Sequence, residues 1–593
     1  MWAVVWDEDL RGKDIEFRTR RWAELLESAN SCQLCRLLCM DIPEEWKETL
    51  STDDTFFVKL GFRRHTLHGL VLQIEAHMGS RTYFVCATED NVSARHIATR
   101  EVVTPTDIDT CISYAFKCVE GCSNHDKCPR SAPATLPTRV LDCSDPSQPR
   151  LIISDSSMRE YYVALSYVWG EDQPYRTTVE NIDSYTILID QSFIPKTIRD
   201  GIMVTHKLGL RYLWVDSFCI MQDSDDDKAQ EIAKIRTYFS HAFITIIAAS
   251  AERVSEGFLH ERPKWNRAPI LLPFRCPDGP IGTVRLYKDE VPPYEAIEER
   301  AWCLEERVLS PRCLLFCSHA VQYECPTERK NINGSPLLLE ILSTQLPVTT
   351  FASDPETLDR SWHGLLLDYT GRKLTKPKDK LDAFGGIAEF FHGLWPDSRY
   401  VAGMWTHQFP EALLWISKGE PRTVYLAPSW SWAAVDGAIY SSTFIKDFDA
   451  PAITVLCSVK RCEATLKRKS NPYGEVTSGL LVLEACFMQA IWEPDPRNLW
   501  PLLYRVKEDG ESYSVQDHLG YYFADTTEFW ETRHEVSLVA LLESNNSVYG
   551  LVLIPVQDQE VDGEKVYRRI GMFTLTPALK WSSNTSNRTI HIV

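Results

Sequence analysis

The sequence lacks both a long apolar run and an excess of basic residues. Its longest apolar stretch, residues 242–249, is far shorter than the ~20 residues that cross a bilayer. Acidic side chains outnumber basic ones by 82 to 63 and give a net charge of -19, and an acidic surface repels phosphate backbones. We therefore expect no membrane span and no nucleic-acid partner.

The first residues also lack an export signal. Residues 1–8 read MWAVVWDE and contain neither a basic segment nor an apolar core of useful length. The expectation is a cytoplasmic protein, in which most of the 18 cysteines are reduced thiols rather than disulfides.

Glycine-rich phosphate-binding motifs and a nucleophile elbow are missing as well. Neither Gly-x-Gly-x-x-Gly nor a P-loop occurs, and no local signature surrounds the cysteines and histidines. These absences argue against a kinase, an ATPase, a Rossmann oxidoreductase and a cysteine protease.

The length of 593 residues exceeds what one hydrophobic core supports, so several domains are expected. Four regions differ in their composition: a Cys-rich α+β extension over 1–150, an α/β domain over 151–330, a helical, Trp-rich region over 331–450, and a β-rich region over 451–593. Gly, Asn and Asp interrupt the strands of the last region at short intervals, which predicts antiparallel pairing.

Outside the α/β domain, short patterns predict individual elements. They indicate a helix at 23–26, strands at 56–60, 70–74, 479–483, 536–542 and 548–555, and a polar, Pro-bearing linker over 129–149.

Strand and helix signals alternate in the α/β domain. Buried strands are predicted at 161–168, 211–216 and 243–249. Between them, one helix begins at Pro195 and ends at Gly209, and a second begins at Ser224 with an apolar stripe that reaches Ala242. This alternation predicts a parallel sheet with right-handed crossovers and flanking helices. A loop-rich insert, a helix over 294–309 and a short strand at 313–316 are expected to follow.

Two groups of cysteines have spacings that are compatible with zinc. Cys32 and Cys35 form one pair, and Cys122, His125 and Cys128 form a second group. Together the two groups could form one tetrahedral structural zinc site. The alternative for the first pair is that its cysteines, like the nearby Cys39, are small apolar residues of a helix core.

Three blocks of the α/β domain resemble successive motifs of HET (heterokaryon incompatibility) domains of filamentous fungi. They are YVALSYVWG at 162–170, LWVDSFCIMQ at 213–222 and RAWCLEERVLS at 300–310. The helix start at 195–198 adds a fourth block, and flanking similarities occur at 136–142, 379–384 and 427–433. One departure is Glu305, which stands where the family usually has Gln.

The resemblance implies a role in fungal allorecognition, in which the domain promotes regulated cell death. It also implies protein partners or self-association. HET domains are distantly similar to TIR domains, so the implied fold is a flavodoxin-like or TIR-like sheet. Residues 164–172 are similar to the first TIR block, and the Trp-Cys-x-x-Glu stretch at 302–306 is similar to that of TIR enzymes that cleave NAD.

When the role of the TIR glutamate is carried over by position, Glu306 is the catalytic carboxylate and NAD is a possible substrate. A nearby carboxylate stabilises the oxocarbenium-like state of glycosidic cleavage. Trp302, one helical turn earlier, could stack on the cationic base. The other expected substrate-binding residues follow two strands, where open α/β sheets bind ligands: Ser166, Trp169, Gly170, Asp216 and Ser217.

Each of these assignments has a structural alternative. Glu306 could be a surface carboxylate beside a core Trp302, Asp216 could be a turn and capping residue, and Glu305 is a rival for the catalytic role. A non-enzymatic signalling module is the alternative function, in which aromatics around Trp169 and Trp302 anchor an interface.

Overall fold

The computed structural model divides the chain into two compact units. The first comprises Met1–Glu231, Tyr238–Ile297 and Ser310–Ser343, and the second comprises Ile232–Thr237, Glu298–Leu309 and Thr344–Val593. The structure describes residues 14–40, 51, 55–65, 69–76, 79–97, 99–100, 108–155, 157–260, 270–288, 294–332, 346, 354–417, 419–420, 424–440, 453–493, 502–505, 518–527, 533–576, 581 and 586–593.

A mixed sheet lies at the centre of the first unit. Within the described residues it has eight strands, in the order Arg329–Asn331, Val321–Glu324, Cys313–Phe316, Ile244–Ile247, Tyr162–Ser166, Tyr212–Trp214, Arg139–Asp142 and Arg150–Ile153. The middle four strands are parallel and the two at each edge pair antiparallel. The predicted parallel core is therefore present, but the complete sheet is mixed. The predicted linker at 129–149 instead contains the strand Arg139–Asp142, all four residues of which are buried, and the strand Arg150–Ile153 directly follows it.

The parallel strands are mostly apolar because both faces of the sheet are covered. All residues of Tyr162–Ser166 and of Ile244–Ile247 are buried. The predicted helix after Pro195 is present as Lys196–Lys207, and Gly209 ends its turn with a φ of +68°. A Cβ on Gly201 of this helix would lie 3.2 Å from Leu165 Cδ2, so the glycine allows close packing on the sheet.

The single helix predicted from Ser224 to Ala242 is instead two helices. They span Asp225–Ile232 and Ile235–His241. The buried Glu231 accepts hydrogen bonds from Thr138 Oγ1 and Tyr238 OH, both at 2.9 Å. These hydrogen bonds hold Glu231 near the end of the first helix, and the second helix begins four residues later.

A second sheet of the first unit joins the N-terminal region to the insert after residue 260. Its six strands in the described part are Asp14–Arg21, Thr55–His65, Gly69–Ala76, Gly79–Cys86, Ile281–Lys288 and Ile270–Arg275, in this spatial order. All neighbours pair antiparallel. The predicted helix at 23–26 and strands at 56–60 and 70–74 are confirmed, whereas the insert contains a hairpin rather than only loops. The remaining helices of this unit are Trp22–Ala29, Gln33–Met40, Ile108–Cys122, Ile182–Ile187 and Asp216–Cys219.

The second unit combines helices with a largely antiparallel sheet. Its longer helices are Ala301–Val308, Pro355–Thr370 and Gly385–Leu394. In the described residues this sheet has nine strands, namely Thr454–Val455, Cys457–Leu466, Val476–Glu493, Leu502–Arg505, His518–Ala524, His534–Ser544, Ser547–Val561, Glu564–Leu575 and Ser586–Ile592. Fully buried Trp362, Trp405, Trp430 and Trp432 contribute to one core of this unit. The predicted Trp-rich helical region and antiparallel strands are therefore present.

Among the helices of the described residues, none has the length and apolarity that crossing a bilayer requires.

Candidate functional site

The strand-end residues of the first unit form a hydrogen-bonded network. Trp214 is the register partner of Ala164 in the parallel pair, so the chain segments after both strands meet at one edge of the sheet. Asp216 accepts from Tyr167 OH at 2.8 Å and from Trp169 Nε1 at 2.9 Å. Tyr167 OH also lies 2.9 Å from Ser217 Oγ. We call Tyr167, Trp169, Asp216 and Ser217 the strand-end network.

The residues of this network and the neighbouring Ser166 differ in solvent exposure. Ser166 and Ser217 are buried, whereas Trp169 and Asp216 are partly exposed. Burial raises the pKa of Tyr167 well above its usual range, so its phenol stays protonated and acts as a donor. Trp169 and Asp216 are thus the members that a ligand can reach.

Gly170 is required where the first strand turns away from the sheet. Its φ is +65°, and a Cβ there would lie 2.0 Å from the Glu252 carbonyl oxygen. The glycine of the first block therefore has a backbone role, because no other side chain fits that approach.

Removing the Asp216 carboxylate should destabilise the first unit. In Asp216→Ala the buried Tyr167 hydroxyl and the Trp169 indole N–H lose their shared acceptor, which costs about 2 kcal/mol. Urea unfolding of this variant, compared with Asp172→Ala at an exposed neighbouring site, measures the loss. Equal midpoints for the two variants would contradict a structural role for Asp216.

The third block lies on helix Ala301–Val308 of the second unit. Glu306 is only 8% exposed, which disagrees with a solvent-facing surface carboxylate. Trp302 precedes it by one turn, is partly exposed and packs at the margin of the apolar core. Trp302 lies near a second carboxyl group, that of Asp379, whose pKa it lowers against the effect of burial.

Glu305 caps another helix of the same unit. Its Oε2 accepts from Gly386 N at 2.7 Å, at the start of helix Gly385–Leu394. A Cβ on Gly386 would lie 2.8 Å from Glu305 Cδ, so glycine makes the contact possible. Burial raises the pKa of Glu305 to about 8, although the Gly386 N–H and the Arg236 charge oppose that shift. The position that departs from the family pattern thus has a packing role.

Two pairs of neighbouring carboxyl groups occur in this unit, Glu305 with Glu306 and Asp379 with Asp382. Burial raises the pKa of Asp379, and it raises the pKa of Asp382 to about 6 with help from the neighbouring Asp379 charge. The buried Tyr369 lies within electrostatic range of Glu305, Asp379 and Asp382. Carboxyl groups whose pKa values are raised to different extents are typical of acid–base sites. Sequence reasoning did not select Asp379 and Asp382, although the flanking motif at 379–384 contains both.

The two predicted cysteine groups have different locations. Cys122, His125 and Cys128 come together with Cys325, which sequence reasoning missed. Cys32 and Cys35 are not part of any metal-compatible group that the structure describes. Both are partly buried: Cys32 packs against an apolar cluster that includes Leu34 and Leu37, and Cys35 packs against one that includes Trp22 and Leu25.

Residues 162–306 match the model of a protein family described as Heterokaryon incompatibility protein (HET). The chain therefore contains a HET domain over these residues, and the match begins at the first central strand and ends at Glu306. No curated protein and no solved structure matches the chain.

Proposed function

We propose that this HET domain protein acts in fungal allorecognition and promotes regulated cell death, and that its HET domain is a TIR-like enzyme that cleaves NAD. The family match supports the biological role. The observation that carries the enzymatic part is the pairing of Trp302 with the buried Glu306 one turn later, beside carboxyl groups whose pKa values are raised.

In this proposal the Glu306 carboxylate stabilises positive charge on the ribose. The bond between ribose C1′ and the nicotinamide nitrogen breaks, and its electron pair leaves with neutral nicotinamide. Because the leaving group is already cationic in NAD, it needs no proton from a general acid. Water then adds to C1′ and loses a proton, which gives ADP-ribose. Trp302 offers a ring face to the cationic base before the bond breaks.

NAD cleavage by the purified full-length chain tests the proposal. We expect nicotinamide and ADP-ribose to form when the protein is concentrated, and Glu306→Gln to lower the rate by about 100-fold or more. Glu356→Gln is the matched control, because Glu356 is an exposed carboxylate of helix Pro355–Thr370. Chromatographic quantification of nicotinamide measures both. Equal rates for wild type and Glu306→Gln would reject the catalytic role of Glu306.

A non-enzymatic assembly module is the second candidate. Asp216 and Trp169 already satisfy each other, Ser166 and Ser217 are buried, and Glu306 is largely covered. These contacts favour a domain whose exposed aromatics bind a protein partner or a second copy of the chain. Sedimentation of the same preparations separates the candidates: assembly without NAD turnover supports the module, and turnover that depends on Glu306 supports the enzyme.

A further inference from the structure

Three cysteines and a histidine of the first unit converge from two distant segments. Cys122 ends helix Ile108–Cys122, His125 and Cys128 follow it, and Cys325 comes directly after strand Val321–Glu324. One donor atom of each residue lies within 4.8 Å of every other. We propose that these four residues bind one structural zinc ion, a site that is independent of the proposed NAD chemistry.

The distances between donor atoms fit a tetrahedral ion. The Cys128 Sγ–His125 Nδ1 distance is 3.5 Å and the Cys325 Sγ–His125 Nδ1 distance is 3.6 Å. With Zn–S near 2.3 Å and Zn–N near 2.0–2.1 Å, a tetrahedron places sulfur and nitrogen ligands about 3.6 Å apart. Three thiolates and one imidazole are also a ligand set that favours zinc over the harder Mg²⁺ and Ca²⁺.

Local turns hold the ligands in place. The backbone N–H of His125 donates to Cys122 O at 3.1 Å, and that of Cys128 donates to His125 O at 3.3 Å. On the other segment, Cys325 N donates to Glu328 O at 2.9 Å. Both segments thus form tight turns that point side chains toward one place.

The surroundings of His125 select the nitrogen that faces the sulfurs. Nδ1 is the atom near Cys128 and Cys325, and Nε2 lies 3.8 Å from Glu328 Oε1. Metal-bound histidines usually direct their other ring nitrogen to a carboxylate, which orients the ring. Glu328 is therefore a positioning residue for the ligand His125.

The proposed site is structural rather than catalytic. Protein side chains supply all four ligands, which leaves no open position for a substrate. The ion would join the end of helix Ile108–Cys122 to an edge region of the central sheet, because Cys325 adjoins the strand that pairs with Cys313–Phe316.

Metal analysis of the full-length chain, purified without chelator, tests this inference. We expect inductively coupled plasma mass spectrometry to find about one zinc ion per chain. Cys325→Ser should lose most of the zinc, whereas the double variant Cys32→Ser/Cys35→Ser should retain it. Co²⁺ bound by wild type should give thiolate charge-transfer absorption that weakens in Cys128→Ser, a readout that does not depend on zinc recovery.

Two outcomes would overturn the site. One is a wild-type chain that binds neither zinc nor Co²⁺ when its thiols are reduced. The other is zinc that persists in Cys325→Ser and disappears from Cys32→Ser/Cys35→Ser. If Cys325→Ser does not fold, Glu328→Gln keeps all four ligands and should weaken zinc retention against a competing chelator by about 10-fold or more.

Discussion

As the pH rises from 5 to 8, burial of Glu305 should lower the free energy of unfolding of the wild-type chain by about 4 kcal/mol, and Glu305→Gln should abolish this decrease. The folded chain holds the Glu305 proton up to about pH 8, whereas the unfolded chain releases it near the ordinary glutamate pKa of 4.5. Between these values the folded state binds more protons, so wild-type stability falls by ~1.4 kcal/mol per pH unit from this group. Glutamine cannot titrate, so the variant lacks this fall.

Hydrogen exchange of the Gly386 amide reports the same effect locally, because that amide donates to Glu305. Protection of Gly386 should decrease from pH 5 to 8 in wild type, after correction for intrinsic exchange, and should stay level in Glu305→Gln. Glu356→Gln, at an exposed carboxylate, should follow wild type. Parallel profiles for wild type and Glu305→Gln would mean that Glu305 does not hold its proton in the folded chain.

Arg569→Met should destabilise the second unit by about 3–5 kcal/mol. Arg569 is fully buried and donates to both Asp525 oxygens at 2.9 Å and to Trp415 O at 2.6 Å. Its guanidinium also lies 3.5 Å from the centre of the Trp415 ring and donates to Leu413 O. Methionine fills much of the volume but leaves the Asp525 carboxylate buried without its cation.

The double variant Arg569→Met/Asp525→Leu should recover most of that loss, because it removes both buried charges. An exposed ion pair gives the matched control. Arg360 and Glu356 are 67% and 77% exposed, so Arg360→Met should cost less than 1 kcal/mol. Chemical denaturation measures all three variants. If Arg569→Met and Arg360→Met lowered the free energy of unfolding by similar amounts, the buried ion pair would stabilise the chain no more than an exposed one.

Sequence patterns predicted the central elements well because their signals are local. A buried strand at 161–168 and a helix that begins after Pro195 follow from apolar periodicity and from proline geometry over a few residues. The antiparallel partners at 139–142 and 321–324 were missed or left unassigned, because strand pairing joins segments that are distant in sequence. The HET blocks indicated the domain at 162–306 for the same local reason, since each motif is contiguous.

The sequence by itself determined the HET domain, the alternating strands and helices, and three of the four residues of the proposed zinc site. Only the tertiary structure brought Cys325 to His125 across 200 positions and placed Glu305 at the start of another helix. It also directed the indole of Trp169 to the carboxylate of Asp216. The periodicity of a sequence shows which face of a helix or strand is apolar. The hydrogen-bond partner of a buried polar side chain depends on which distant segments the tertiary fold brings next to it.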